Sequence, residues 1–319
     1  MTSRRAIVVL VVLALILVAA GFMALRTGAA DATALIVSEI RAPRVIMAVL
    51  IGAGLGLAGT TMQAVTRNPL ADPAIVGVSA GGALGAAIAL SVGLRFATAP
   101  TAALAVAIAL VAIAVVVATS SSQGRPEVVT LVLAGVAVTA FATAAITVLV
   151  STTGNAEVRS VVFWTSGSLA LCTWSAVSSV APWVIAGTIA VAWIARDLDV
   201  LGLGDRAAHS SGVPVRRVRV VGLVGVAMLV AAGVAITGII AFIGLVIPHA
   251  MRSIIGPKHS LLLPASALAG AVLLLLADTV ARTIAQPVEI PVGAITALIG
   301  APVFFVLLLR TRRRQGGWS

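Results

Sequence analysis

Tyrosine is absent from this 319-residue chain, and cysteine and lysine occur once each, as Cys172 and Lys258. Acidic residues number ten, histidines three, and aromatic residues make up 4%. Each scarcity excludes a class of chemistry. One cysteine can form no intrachain disulfide and says nothing about redox compartment. A phosphate-binding P-loop needs Gly-Lys-Ser/Thr, because its lysine meets the phosphates, and the sole lysine here follows Pro257. Any ATP that drives this protein is therefore hydrolysed on another chain.

What is present is apolar. Hydrophobic residues make up 61% of the chain and charged ones 10%, with a mean hydropathy of +1.18, far above that of a soluble domain. The composition is that of a membrane protein. The formal charge of +11 would suggest nucleic acid in a soluble chain. No basic stripe with interleaved aromatics exists, however, and arginines that flank membrane spans serve to orient them.

The first apolar run, Ala6 to Leu25, follows Arg4 and Arg5 and carries no charge. It is longer than the apolar core of a signal peptide and reads as a retained span. Apolar length and charged interruptions place further spans near 45–64, 75–93, 99–120, 128–150, 177–195, 219–237, 239–254, 261–280 and 293–309, ten in all. The division at Gly238 is the least marked, because Val220 to Pro248 is one uncharged run. Charge supports it. With both termini inside, the inner side holds fifteen cations, from Arg4 through Arg67, Arg125 and Lys258 to Arg314. The outer side keeps six, Arg26, Arg41, Arg44, Arg95, Arg159 and Arg282. Nine spans would leave the arginine-rich tail outside, against the positive-inside rule. The expectation is an all-α polytopic membrane protein, one transmembrane domain over residues 1–319.

Two strings imitate catalytic motifs. GLGLAG, residues 54–59, fits the dinucleotide fingerprint, but it lies inside an apolar run with no preceding strand and no acid about 20 residues on. Small residues at that spacing suit close helix packing in lipid. GVSAG, residues 77–81, fits the nucleophile elbow, which needs a strand-to-helix turn with histidine and acid partners. His209, His249 and His259 all fall on the inner side, so Ser79 reads as part of a helix start or broken helix. Secondary transport is the rival class, and the acid it would use within a span is Asp278. That residue lies four before Arg282, and the two can share a helix face as an ion pair near the outer end.

RAPR at 41–44, QAVTRNPLADPAIVGVSAGGALGA at 63–86, FWTSGSL at 163–169, GIIAFIGLVIPHAMR at 238–252 and LLLLADTVARTIAQPVEIPVGAITALIGAPVFFVLLLR at 273–310 together resemble a FecCD-type permease. That is the subunit type of ABC importers for ferric siderophores, haem and cobalamin, and the resemblance covers nearly the whole chain. It implies a homodimer of ten-span subunits in the bacterial cytoplasmic membrane, two ATP-binding cassette subunits and an extracytoplasmic substrate-binding protein. ATP and Mg²⁺ would sit on the partner ATPase, and neither cofactor nor metal on this chain.

The resemblance also assigns roles. The arginines of the family's R-x-P-R and V-A-R motifs dock acidic residues of the binding protein; they fall on Arg41, Arg44 and Arg282. Asn68 and Leu70 inherit a cytoplasmic gate, with Val128 and Val129 where the cobalamin permease has a small hydroxyl pair. The coupling segment, about 202–217 with its last arginine at 219, would place a short helix in a groove on the ATPase. Asp205 would open it as N-cap and Gly212 close it, with Arg206, His209 and Val213 at the contact; Ser211 stands where an apolar residue is usual. Nothing at membrane depth offers a fixed haem ligand, since tyrosine is absent and His249 falls toward the inner end. The cargo reads as an iron chelate, haem marginally ahead of ferric siderophore, with cobalamin the alternative.

Overall fold

The computed structural model describes residues 3–28, 33–74, 76–122, 125–126, 128–152, 166–286 and 288–314. Helix dominates. In chain order the helices are α1 (Ser3–Arg26), α2 (Ala34–Val65), α3 (Val78–Ser91), α4 (Ala99–Ser120), α5 (Val128–Thr152), α6 (Trp174–Trp193), α7 (Ala195–Leu201), α8 (Asp205–Ser210), α9 (Val215–Thr237), α10 (Ile243–Ile255), α11 (His259–Ala281) and α12 (Val292–Arg314). Strand pairing among the described residues is one two-residue ladder, Ser121 with Pro126 and Ser122 with Arg125, in the turn between α4 and α5.

Seven of the described helices are long and apolar enough to cross a bilayer, α1, α2, α4, α5, α6, α9 and α11; α3, α10 and the Val292–Val306 part of α12 are apolar but shorter. The expected ten apolar helices are thus present, with shifted ends. α2 starts eleven residues before the expected span, because Glu39 and Arg41 bound the apolar run but not the helix, whose Val37–Arg41 stretch is one π-helical turn. The division at Gly238 is real. This glycine takes φ +71°, a left-handed value open to glycine at little cost, and ends α9; α10 resumes only at Ile243, after Phe242 at φ +69°.

α3 and α10, with 14 and 13 residues, are about 20 Å long at 1.5 Å per residue, short of a hydrocarbon core about 30 Å thick. Irregular backbone supplies the rest, as Ala71–Asp72 before α3 and Gly238–Phe242 before α10. Such backbone is tolerated at membrane depth only where protein covers it. Here Ala71, Asp72 and Ile240 are buried, and Gly293 donates to the Gly167 carbonyl while Ser168 donates to that of Thr237.

α2 is the central helix, buried at every residue from Gly54 to Val65. Its glycines let neighbouring backbones touch it. A Cβ on Gly52 would meet the Gly270 carbonyl at 2.4 Å, on Gly56 the Ser266 carbonyl at 2.1 Å and on Gly59 the Gly244 carbonyl at 1.8 Å. GLGLAG is therefore a packing segment, with Gly54 against the Leu229 carbonyl of α9, Gly56 against α11 and Gly59 against α10. Ser79 sits buried in the first turn of α3, behind Gly77 at φ +82°, so GVSAG is a helix start. α1 is largely open to lipid, with Leu15 and Val18 exposed, and buries alanines such as Ala20 and Ala24 where it meets its neighbours.

Candidate functional site

Two polar clusters stand at opposite ends of α2. At its N-terminal end, Pro43 pre-sets the first turn of the α-helical part and Arg41 and Arg44 flank it. Arg44 Nε donates to both oxygens of Asp278 on α11, at 3.1 and 3.0 Å, and Nη2 to Oδ1 at 2.9 Å. Nη1 reaches Glu289 at 2.9 and 3.1 Å. Arg41 donates through Nη1 to the Leu25 carbonyl at 2.9 Å, and Arg282 through Nη2 to the Ala24 carbonyl. Those two carbonyls belong to the last turn of α1, where they lack helical donors and where cations are favoured.

The three arginines predicted for docking are thus brought together, each more than nine-tenths buried, with their forks turned into the protein. The expected Asp278–Arg282 pair exists only at 3.9 Å; the hydrogen-bonded partner of Asp278 is Arg44. Arg282 is drawn instead to the end of α1. Glu289, between two prolines of the chain's last loop, was not singled out from the sequence. Its only signal there is a charge in an otherwise apolar tract. In the adjoining 166–173 segment, burial pushes the Cys172 thiol up to about 12, Asp278 adding to the rise and Arg44 opposing it.

At the other end, α2 finishes in a Schellman motif: Asn68 N–H donates to the Gln63 carbonyl and Arg67 N–H to that of Ala64. Arg67 occupies the left-handed position at φ +51°. Asn68 Oδ1 then accepts from Leu70 N–H at 3.0 Å, and Asp72 Oδ1 from Ala74 N–H at 2.8 Å, two Asx turns that carry the chain past Pro69 and Pro73. Two of the predicted gate residues, Asn68 and Leu70, therefore share one turn. Val128 and Val129 begin α5, and their side chains lie outside the described residues. Asp72, buried beside Gly244 at the start of α10, is a membrane-depth acid that the sequence reading passed over.

The predicted short helix is α8, with one correction. Gly204 is its N-cap and makes no side-chain cap; Asp205 is the first helical residue. The Asp205 carboxylate is turned away from the helix end because Arg219 Nη2 holds both its oxygens, at 2.9 and 3.1 Å. Gly212, at φ +76°, closes α8 as expected, in a second Schellman motif: Val213 N–H donates to Ala208 and Gly212 N–H to His209. Val213 and Ala208 pack together below it in a small cluster with Leu198 and Leu201. Ser211 Oγ donates to the Ala207 carbonyl at 2.8 Å. Arg206 and His209 are exposed. Asp199 on α7 accepts from the His259 backbone N–H at 2.6 Å and contacts its Nδ1 at 2.8 Å, tying this end to the start of α11; the sequence alone carried no sign of that pairing.

Comparison with known proteins agrees with this architecture. The chain is 40% identical over 288 residues to the hemin transport system permease protein HmuU of Yersinia pestis, covering 88% of this chain and 84% of that one. It is 41% identical over 297 residues to the cobalamin import system permease protein BtuC of Halobacterium salinarum, covering 90% and 77%. A solved inward-facing metal-chelate type ABC transporter superimposes with a TM-score of 0.84 at 31% identity, over 94% of this chain and 98% of that one. The profile of the FecCD transport family matches residues 6–310, and the chain belongs to that family.

Proposed function

We propose that this chain is the membrane-spanning permease subunit of a binding-protein-dependent ABC importer that moves an iron chelate inward, with haem as its cargo. It acts as a homodimer in the bacterial cytoplasmic membrane, both termini inside. Two ATP-binding cassette subunits dock on α8, where Arg206, His209 and Val213 lie, and an extracytoplasmic binding protein docks over Arg41, Arg44 and Arg282. ATP and Mg²⁺ belong to the ATPase, and this chain takes no cofactor. Asn68, Leu70, Val128 and Val129 close the path on the cytoplasmic side.

One observation carries the reading: a single buried helix, α2, joins the arginine cluster to the turn beside α8. Its Ala42–Val65 part, 24 residues, is about 35 Å long, so both partners address the same rigid element from opposite faces of the membrane. Glu289 is the exposed rim of the arginine cluster, its side chain 42% accessible, and a carboxylate of the binding protein can replace it on the Arg44 fork. The relatives support import of iron chelates or cobalamin; the hemin permease supports haem.

The test is reconstitution of the permease with its ATPase and binding protein in proteoliposomes loaded with ATP. Haem uptake that requires ATP and the binding protein is expected. Uptake driven by an ion gradient without ATP would overturn the ABC reading, and uptake of only a ferric siderophore or cobalamin would overturn the cargo.

A further inference from the structure

The left-handed corner that ends α2 is normally occupied by glycine, because a Cβ there crowds the backbone. This chain places an arginine in it, at φ +51°, against the steric preference of any residue that carries a Cβ. The side chain explains the choice. Arg67 Nη2 lies 3.6 Å from Asp205 Oδ1, and its Nη1 lies 3.6 Å from where a Cβ on Gly204, the N-cap of α8, would be. Asp205 is in turn clamped to α9 by Arg219 at 2.9 Å. One carboxylate therefore ties together the end of α2, the first residue of α8 and the second turn of α9. The residue immediately after Arg67 opens the Asn68–Leu70 turn.

We infer that Arg67 is a positioning residue, the joint through which displacement of α8 reaches the Asn68–Leu70 turn; this rests on the permease reading above. The pair is too exposed to hold the fold. The Arg67 side chain is 44% accessible, and solvent screens ion pairs of that kind so that they add little to stability. What it supplies is direction. α8 is held to the rest of the chain chiefly through its buried Ala208 and Val213 contacts and through Asp205, so a push on α8 moves Asp205. Arg67 follows at a backbone position that is already strained, one residue before the turn that closes the path.

The variant Arg67→Gly separates this role from a structural one, because glycine fits φ +51° better than arginine and removes only the side chain. The purified complex should melt at or above the wild-type temperature and still hydrolyse ATP. Cargo transported per ATP hydrolysed should fall at least about 5-fold, the lower end of ordinary coupling strengths. Arg67→Lys, which keeps the charge, should recover part of it. Wild-type uptake per ATP in Arg67→Gly, or a loss of uptake fully explained by a lower melting temperature, would overturn the joint while leaving the permease reading intact. Failure of the unsubstituted chain to co-purify with an ATPase would overturn that reading, and the joint with it.

Discussion

A guanidinium buried at the end of a membrane helix needs its charge answered, and Arg44 has Asp278 and Glu289, each at 2.9 Å. Asp278 is 1% exposed, so removing its charge leaves Arg44 and Arg282 facing a neutral amide in a dry site. Breaking such a buried pair typically costs about 3–5 kcal/mol. Asp278→Asn is therefore expected to lower the melting temperature of the detergent-solubilised permease clearly more than Glu289→Gln, whose charge sits at the rim. Equal melting of the two variants would show that the cluster does not hold this end. The same geometry makes Arg44 the arginine whose reversal to glutamate is most damaging, since a third acid would join two others. Arg282, the residue that caps the C-terminus of the helix carrying Asp278, is held by the α1 carbonyl instead.

At the scale of elements, α2 is placed by what its glycines omit. At Gly59 a methyl group would lie 1.8 Å from the Gly244 carbonyl, and backbone cannot rotate aside as a side chain can. Gly59→Ala must separate α2 from α10, and overpacking of this kind costs about 1–3 kcal/mol or more. Gly21→Ala in α1, where nothing lies within 4 Å, is the matched control and should melt as wild type. If both variants behave alike, close approach of the helices is not what the glycines provide. α8 follows a different logic. Its six residues could not persist alone; Gly212, the Ala208–Val213 contact and Asp205 hold it in place.

For the whole molecule, the question is which end faces the cytoplasm. The arginine bias predicts that α8 does. Single cysteines in a Cys172→Ser background should show Val288→Cys reacting with an impermeant thiol reagent in intact cells, and Ser210→Cys reacting only after the membrane is opened. The reverse pattern would invert the topology. Cys172 itself should give no background in wild type, because it is buried and its thiol, pushed up to about 12, stays protonated at neutral pH, while the thiolate is the reactive form.

Much of this architecture was legible from local properties of the chain. Run length and charge spacing determine how many helices can span and which loops carry cations, because hydrocarbon excludes charge wherever the chain goes. Gly238 and Gly212 mark chain breaks because a left-handed φ is a property of one residue, and GLGLAG could be read as packing because its surroundings were already helical. The pairings were not legible. Arg44 meets Asp278 across 234 positions, Arg67 meets Asp205, and Asp199 caps α11, none of them at a helical spacing that sequence could reveal. Asp278 and Arg282 had that spacing and still formed only the longer contact. Burial decides such cases: which charges must be neutralised, and by which partner, depends on where water is excluded, and water is excluded only once α1, α2 and α11 have packed together.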